Sequence, residues 1–131
     1  MKRSGILNAE IAAVVARLGH MDSITIGDAG LPIPKGPKRI DLVVKPGLPS
    51  FLDVLAVVLQ EQVVEKAVIA AEMARVSPDL YQQLRTVLGP IPVETISHEE
   101  FKQRTATSRA VIRTGEFTPY ANVILVSGVA F

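Results

Sequence analysis

"EKAVIAAE", residues 65–72, sets five consecutive apolar residues between charged flanks. A strand with one face in water alternates apolar and polar residues. An unbroken short apolar run is what a strand covered on both faces shows. Two covered faces call for helices on either side of a largely parallel sheet, and the flanking segments fit. Upstream, "PGLPSFLDVLAVVLQEQ" (46–62) reads as a helix with Pro49 in its first turn and Phe51, Val54, Leu55, Val58 and Leu59 on one side. Downstream, "SPDLYQQLRTVLG" (77–89) reads as another, with Ser77 as cap, Pro78 first and Gly89 as stop.

Working outward, Asn8 caps a first helix from about Ala9 to Leu18, which Gly19 ends with positive φ. Ile11, Val14, Val15 and Leu18 form its buried stripe. Strands follow at Ser23–Gly27 and Ile40–Lys45, then at "PVETIS" (92–97), "RAVIRTG" (109–115) and "ANVILVSGV" (121–129). Between "PVETIS" and "RAVIRTG" a helix begins at a capping box, Ser97 with Glu100. The order predicts a single α/β domain over residues 1–131. It is a three-layer sandwich with a mostly parallel, mixed sheet of about six strands and helices on both faces.

Composition narrows the function. Fourteen Lys plus Arg against thirteen Asp plus Glu leave a net charge of +1, with aromatics at 5%. Neither nucleic acid nor an anionic membrane is an expected partner. Cysteine is absent, which removes thiolate catalysis, disulfides and cysteine zinc sites and suits a reducing cytoplasm. The N-terminal apolar stretch is interrupted by Asn8, Glu10 and Arg17, so it reads as an amphipathic helix and not as a signal peptide. A 48% apolar chain of this length has either a rich core or surface covered by other subunits.

Polar residues with useful chemistry gather where strands end. In open α/β sheets ligands bind outside the carboxyl ends of strands. Asp28 follows the strand "SITIG". It is either an ordinary turn residue or the carboxylate that orients His20 by holding one ring nitrogen. His20 is either a cap on the first helix or a proton donor, since an imidazole titrates near roughly 6.5. His98 starts a capped helix, where the dipole favours a neutral, hydrogen-bonding ring. Lys102 lies four residues on, on the same face. "TPYAN" (118–122) is either a turn with a half-buried tyrosine or a sugar subsite. Tyr120 offers a ring face and a hydroxyl, and Asn122 offers donors and an acceptor together. The spacing of His20, Asp28 and His98 matches no helix-based metal pair, and no phosphate-loop pattern is present.

These residues sit in a set of blocks that closely resembles the ribose pyranase (mutarotase) family, related to the fucose mutarotases. The blocks are "GILN" (5–8), "LGH" (18–20), "DAGLPIP" (28–34), "IDL" (40–42), "KPGLPSF" (45–51), "VEKAVIAAE" (64–72), "SHEEFK" (97–102) and "VIRTGEFTPYANVILVSGV" (111–129). The resemblance implies His20 as proton donor, with Asp28, His98 and the segment Tyr120, Ala121, Asn122 contacting the sugar and Lys102 lining the same pocket. It departs at Met21, where a small polar residue is expected, and at Gly27, where alanine is. It further implies a homo-oligomer, typically a decamer of two stacked pentamers, in which "TPYAN" of one subunit completes its neighbour's site. The implied reaction opens a hemiacetal by acid–base proton transfer and recloses it as another ring form, with D-ribose or a related aldose as partner. It needs no cofactor. The competing expectation is a non-catalytic sugar-binding accessory of a transport system.

Overall fold

The computed structural model describes all residues, 1–131. Twelve segments of regular structure form, and six are strands of one sheet. In chain order they are α1 (Ala9–Arg17), β1 (Ser23–Gly27), β2 (Lys38–Asp41), α2 (Phe51–Leu59) and β3 (Val64–Ala70). Then come α3 (Glu72–Val76), α4 (Pro78–Leu88), β4 (Val93–Ile96), α5 (His98–Arg104), a 3-10 turn (Thr105–Thr107), β5 (Ala110–Arg113) and β6 (Val123–Ser127). The strand order is β2-β5-β1-β6-β3-β4. Pairs β2–β5, β5–β1 and β3–β4 are parallel, while β6 runs antiparallel between β1 and β3.

The sheet is covered on both sides. One face carries Ile24, Ile26, Ile69, Ile112, Val123 and Leu125, packed under α1, α2 and α4. Phe51 and Leu55 of α2 and Leu84 of α4 are fully buried there. Each such side chain contributes about 1.5–3 kcal/mol of burial. The other face carries Val68, Val111 and Ile124 under Phe101 of α5 and Leu31 of the loop after β1. The run at 65–72 therefore behaves as its composition demands: Val68 and Ile69 point into opposite cores, and both are buried.

Several local expectations shift. β2 is Lys38–Asp41, not Ile40–Lys45, because Val43 and Val44 leave the sheet in a turn whose Val44 N–H donates to Leu48 O. Pro49 precedes the cap of α2 and does not lie in its first turn. Ser50 is the cap, accepting from Asp53 N–H at 3.2 Å. Ser77 does not cap α4, since its hydroxyl donates to Pro119 O at 2.7 Å. The charged end of the 65–72 run opens the short helix α3, which periodicity gave no sign of. Ser97 caps α5 through Glu100 N–H at 3.1 Å, but the Glu100 carboxylate binds Arg104, so half of the capping box forms. Finally, α1 ends without a left-handed glycine at 19. The positive φ falls two residues later, on Met21 at 72°.

The strand directions locate a crevice. From β1 the chain crosses to the β2 edge; from β3 it crosses to the β4 edge. Loops at the carboxyl ends of β1 and β3 thus diverge, with the start of β6 between them, which is the switch-point geometry that opens ligand sites. The long segment entering β6 is tied down at Gly115, whose backbone exchanges hydrogen bonds with Gly47 N–H (2.7 Å) and Pro49 O (2.8 Å). A Cβ at 115 would lie 2.5–2.7 Å from backbone atoms of Leu48. Backbone cannot rotate away as a side chain can. Gly115→Ala is therefore expected to lose about 1–3 kcal/mol by overpacking, read as a lower midpoint in urea unfolding.

Candidate active site

Asp28 stands where β1 runs out. Its carboxylate accepts from Gly30 N–H at 2.9 Å and from the Asn122 amide at 3.0 Å. Its own N–H donates to Asn122 Oδ1 at 2.8 Å. The amide of Asn122 therefore has one allowed orientation, oxygen to the Asp28 backbone and nitrogen to the carboxylate. Asn122 is fully buried, whereas Asp28 is partly open to solvent. Burial pushes the Asp28 carboxyl above the usual aspartate range, against the opposing pull of hydrogen bonds from Gly30 and Asn122 and of the nearby His98.

The segment carrying Asn122 is held from several sides. The Glu116 carboxylate accepts from Phe51 N–H (3.1 Å) and from the Thr118 hydroxyl (2.8 Å), and Ser77 grips Pro119. Tyr120 adopts φ 64°, a left-handed conformation that bulky residues seldom take. Such strain persists only when the surroundings enforce it, and it collects at functional sites. Ala121 beside it is fully buried and supplies packing.

His98 arrives from the other side of the crevice, at the end of β4. Its N–H donates to both oxygens of Glu72, at 3.1 and 3.0 Å. Its ring lies edge-on to Tyr120 with centroids 5.0 Å apart and stacks on Phe101 at 6.3 Å. Nδ1 is buried without a hydrogen-bond partner, which leaves Nε2 as the nitrogen able to meet a ligand. Lys102 follows one turn later, but its ammonium is engaged by Glu99 at 2.6 Å.

His20 is elsewhere. It precedes β1, while Asp28 follows it, so the five residues of β1 separate them, roughly 16 Å of extended chain. The expected pairing of Asp28 with His20 is thus corrected: within one chain the two stand at opposite ends of a strand. His20 Nε2 instead meets Glu65 Oε2 at 3.0 Å. Asn122 of "TPYAN" binds Asp28 of its own chain. Sequence reasoning missed Glu65, Glu72 and Glu116. Each is a carboxylate whose partner lies far along the chain, and no spacing rule reports that. No three His, Asp or Glu side chains converge as a metal-binding group.

The crevice unites a desolvated carboxylate, a buried amide, an aromatic ring and an imidazole. That set matches the alternating donors, acceptors and C–H faces of a small sugar. The sequence pattern of the RbsD / FucU transport protein family matches residues 1–130. The chain belongs to this family. A relative named D-ribose pyranase from Bacillus cytotoxicus is 52% identical over the full length of both chains. Another of that name, from Vibrio vulnificus, is 53% identical, again covering both completely. Among solved structures, RbsD of Bacillus subtilis in complex with D-ribose superposes with a TM-score of 0.97, at 51% identity and full coverage of both chains. The fold of this family member also extends to a fucose mutarotase of Streptococcus pneumoniae, at a TM-score of 0.79 and 20% identity.

Removing the Asn122 amide leaves the Asp28 N–H and carboxylate without their partner. Asn122→Ala is expected to cost about 1–3 kcal/mol for the orphaned groups, measured by denaturant unfolding.

Proposed function

We propose that this chain catalyses the interconversion of pyranose and furanose forms, and of anomers, of D-ribose. One observation carries the reading. Asp28, His98, Tyr120 and Asn122 converge on one crevice in a chain whose backbone superposes over its whole length on a ribose-bound relative of half-identical sequence. Relatives named for ring interconversion at 52–53% identity favour turnover over a purely accessory role in transport.

The chemistry needs only placed protons. His20 protonates the ring oxygen as the C1–O bond breaks. The Asp28 carboxylate, made more basic by its burial, accepts the proton of the anomeric hydroxyl. His98 and Tyr120 hold the remaining hydroxyls, buried Asn122 fixes the Asp28 carboxylate, and Lys102 stands at the rim. Reclosure through another hydroxyl, or on the other carbonyl face, yields the new ring form. General acid–base catalysis supplies about 10²–10⁴-fold, which suffices because these rings already interconvert in water. No cofactor enters the reading.

For His20 to reach that oxygen, a second copy of the chain must supply it. The proposed unit is a homo-oligomer, a decamer of two stacked pentamers, with each crevice at a subunit boundary. Exposed apolar side chains support this: Leu7, Met21, Val44 and Phe117 are each more than 60% exposed in the single chain. No helix is long and apolar enough to cross a membrane. A cysteine-free single domain over 1–131 working in the cytoplasm completes the proposal.

Saturation-transfer NMR on ribose tests the activity. His20→Ala is expected to abolish catalysed exchange while ribose binding survives; unchanged exchange would end the proposal. Mixing tests the shared site. His20→Ala and Asp28→Ala chains, each inactive alone, should regain exchange when co-assembled, because some boundaries then pair an intact His20 with an intact Asp28. Inactive mixed oligomers would place both groups on one chain. The pH dependence follows from the raised Asp28 carboxyl. Its acceptor oxygens are present above its titration range and lost as pH falls through it. Ribose affinity should therefore fall on acidification starting at higher pH than an ordinary aspartate would give, as read by calorimetric titration.

A further inference from the structure

Glu65 sits where the sheet is irregular. β3 pairs with β6 through Val64 opposite Ser127 and Lys66 opposite Val126, so Glu65 is an extra residue in the ladder. A bulge of this kind turns one side chain out of the regular alternation, and bulges recur beside active sites. Here it turns a carboxylate onto His20: Oε2 lies 3.0 Å from Nε2, and Glu65 has no other side-chain hydrogen bond or ion pair. Lys66, the next residue, pairs with Glu94 and leaves Glu65 to the imidazole. Gly128 makes the room, since a Cβ there would come within 3.2 Å of Glu65 Cβ.

The loop that carries His20 is fastened independently. Met21 N–H donates to Ser127 O at 2.9 Å, and Ser127 N–H donates to Asp22 O at 2.8 Å. Asp22 accepts from Gly19 N–H at 2.9 Å and from Arg109 at 2.9 Å, which together hold its carboxyl below the usual range. Buried Gln62 ties the Ser127 hydroxyl at 2.9 Å. The backbone of the loop is therefore set without Glu65, and what remains free is the imidazole ring and its tautomer.

We propose that Glu65 is the positioning residue of His20: its carboxylate accepts the Nε2 proton, fixes that tautomer and ring orientation, and leaves Nδ1 as the nitrogen that serves the sugar. A carboxylate can only accept, so the nitrogen facing it must carry the hydrogen. The donating form is the imidazolium: Nδ1 takes up a second proton from solvent and passes it to the ring oxygen, while the carboxylate stabilises the charged ring. This assignment rests on His20 being the proton donor.

The experiment uses the full-length oligomer with ¹⁵N-labelled histidine. In the wild type, at a pH where the ring is neutral, the His20 nitrogens should show a protonated Nε2 and an unprotonated Nδ1. Glu65→Ala should move both signals toward the averaged values of a free imidazole. It should also lower the exchange rate at saturating ribose about tenfold, a share of the acid–base contribution, with ribose affinity unchanged. Glu65→Gln, whose amide oxygen still accepts, should keep the tautomer and recover part of the rate. A Glu65→Ala protein with either the wild-type histidine spectrum or the wild-type rate overturns the proposal. Failure of the underlying reading looks different: His20→Ala would then retain full catalysed exchange, whatever the Glu65 spectra show.

Discussion

The reciprocal hydrogen bonds between Asp28 and Asn122 are the constraint that the site depends on. They join the residue after β1 to the residue before β6, the one antiparallel strand of the sheet. Because β6 lies between β1 and β3, its entry is delivered to the point where the neighbouring loops part. The carboxylate is kept partly desolvated. A buried amide is a costly anchor unless all its groups are matched, and here both ends are. The braces at Glu116 and Ser77 keep the segment in the strained backbone that the pairing needs.

Much of this was legible in the sequence, for identifiable reasons. β1 at Ser23–Gly27 and the start of α5 at Ser97 announced themselves by β-branching and by a cap. The apolar run at 65–72 reported two buried faces because its neighbours in space are both helical layers. Local rules failed where a distant partner overrode them. Ser77 had the right identity for a cap, but its backbone departs from cap geometry and its hydroxyl turns to donate to Pro119 O. Gly19 looked like the left-handed stop, yet the turn into β1 placed that conformation on Met21. Glu65 could not be found at all, since a bulge is a relation between two strands and leaves no mark on one of them.

His20 and Asp28 show how nearness in sequence misleads. Eight positions suggest neighbours, but an extended chain spends its residues on distance. The strand that lies between them carries Ile24, Thr25 and Ile26, all inaccessible to solvent, so no bending of it could bring the two together. Their separation is why the proposed site draws on two copies of the chain. Each end of the strand holds its own polar pair, His20 with Glu65 at one and Asp28 with Asn122 at the other.

The fixed sense of the Asn122 side chain has one more consequence, for how this molecule ages. Deamidation is the smallest covalent change that amide can suffer. It would exchange the donor nitrogen, 3.0 Å from a carboxylate oxygen, for a second acidic oxygen. Two like charges at that spacing cannot both ionise freely, so the pair would capture a stray proton or spring apart. Full burial, with Val123 next in the chain, shields the amide from hydrolysis. The same enclosure that shapes the crevice thus also sets its chemical shelf life.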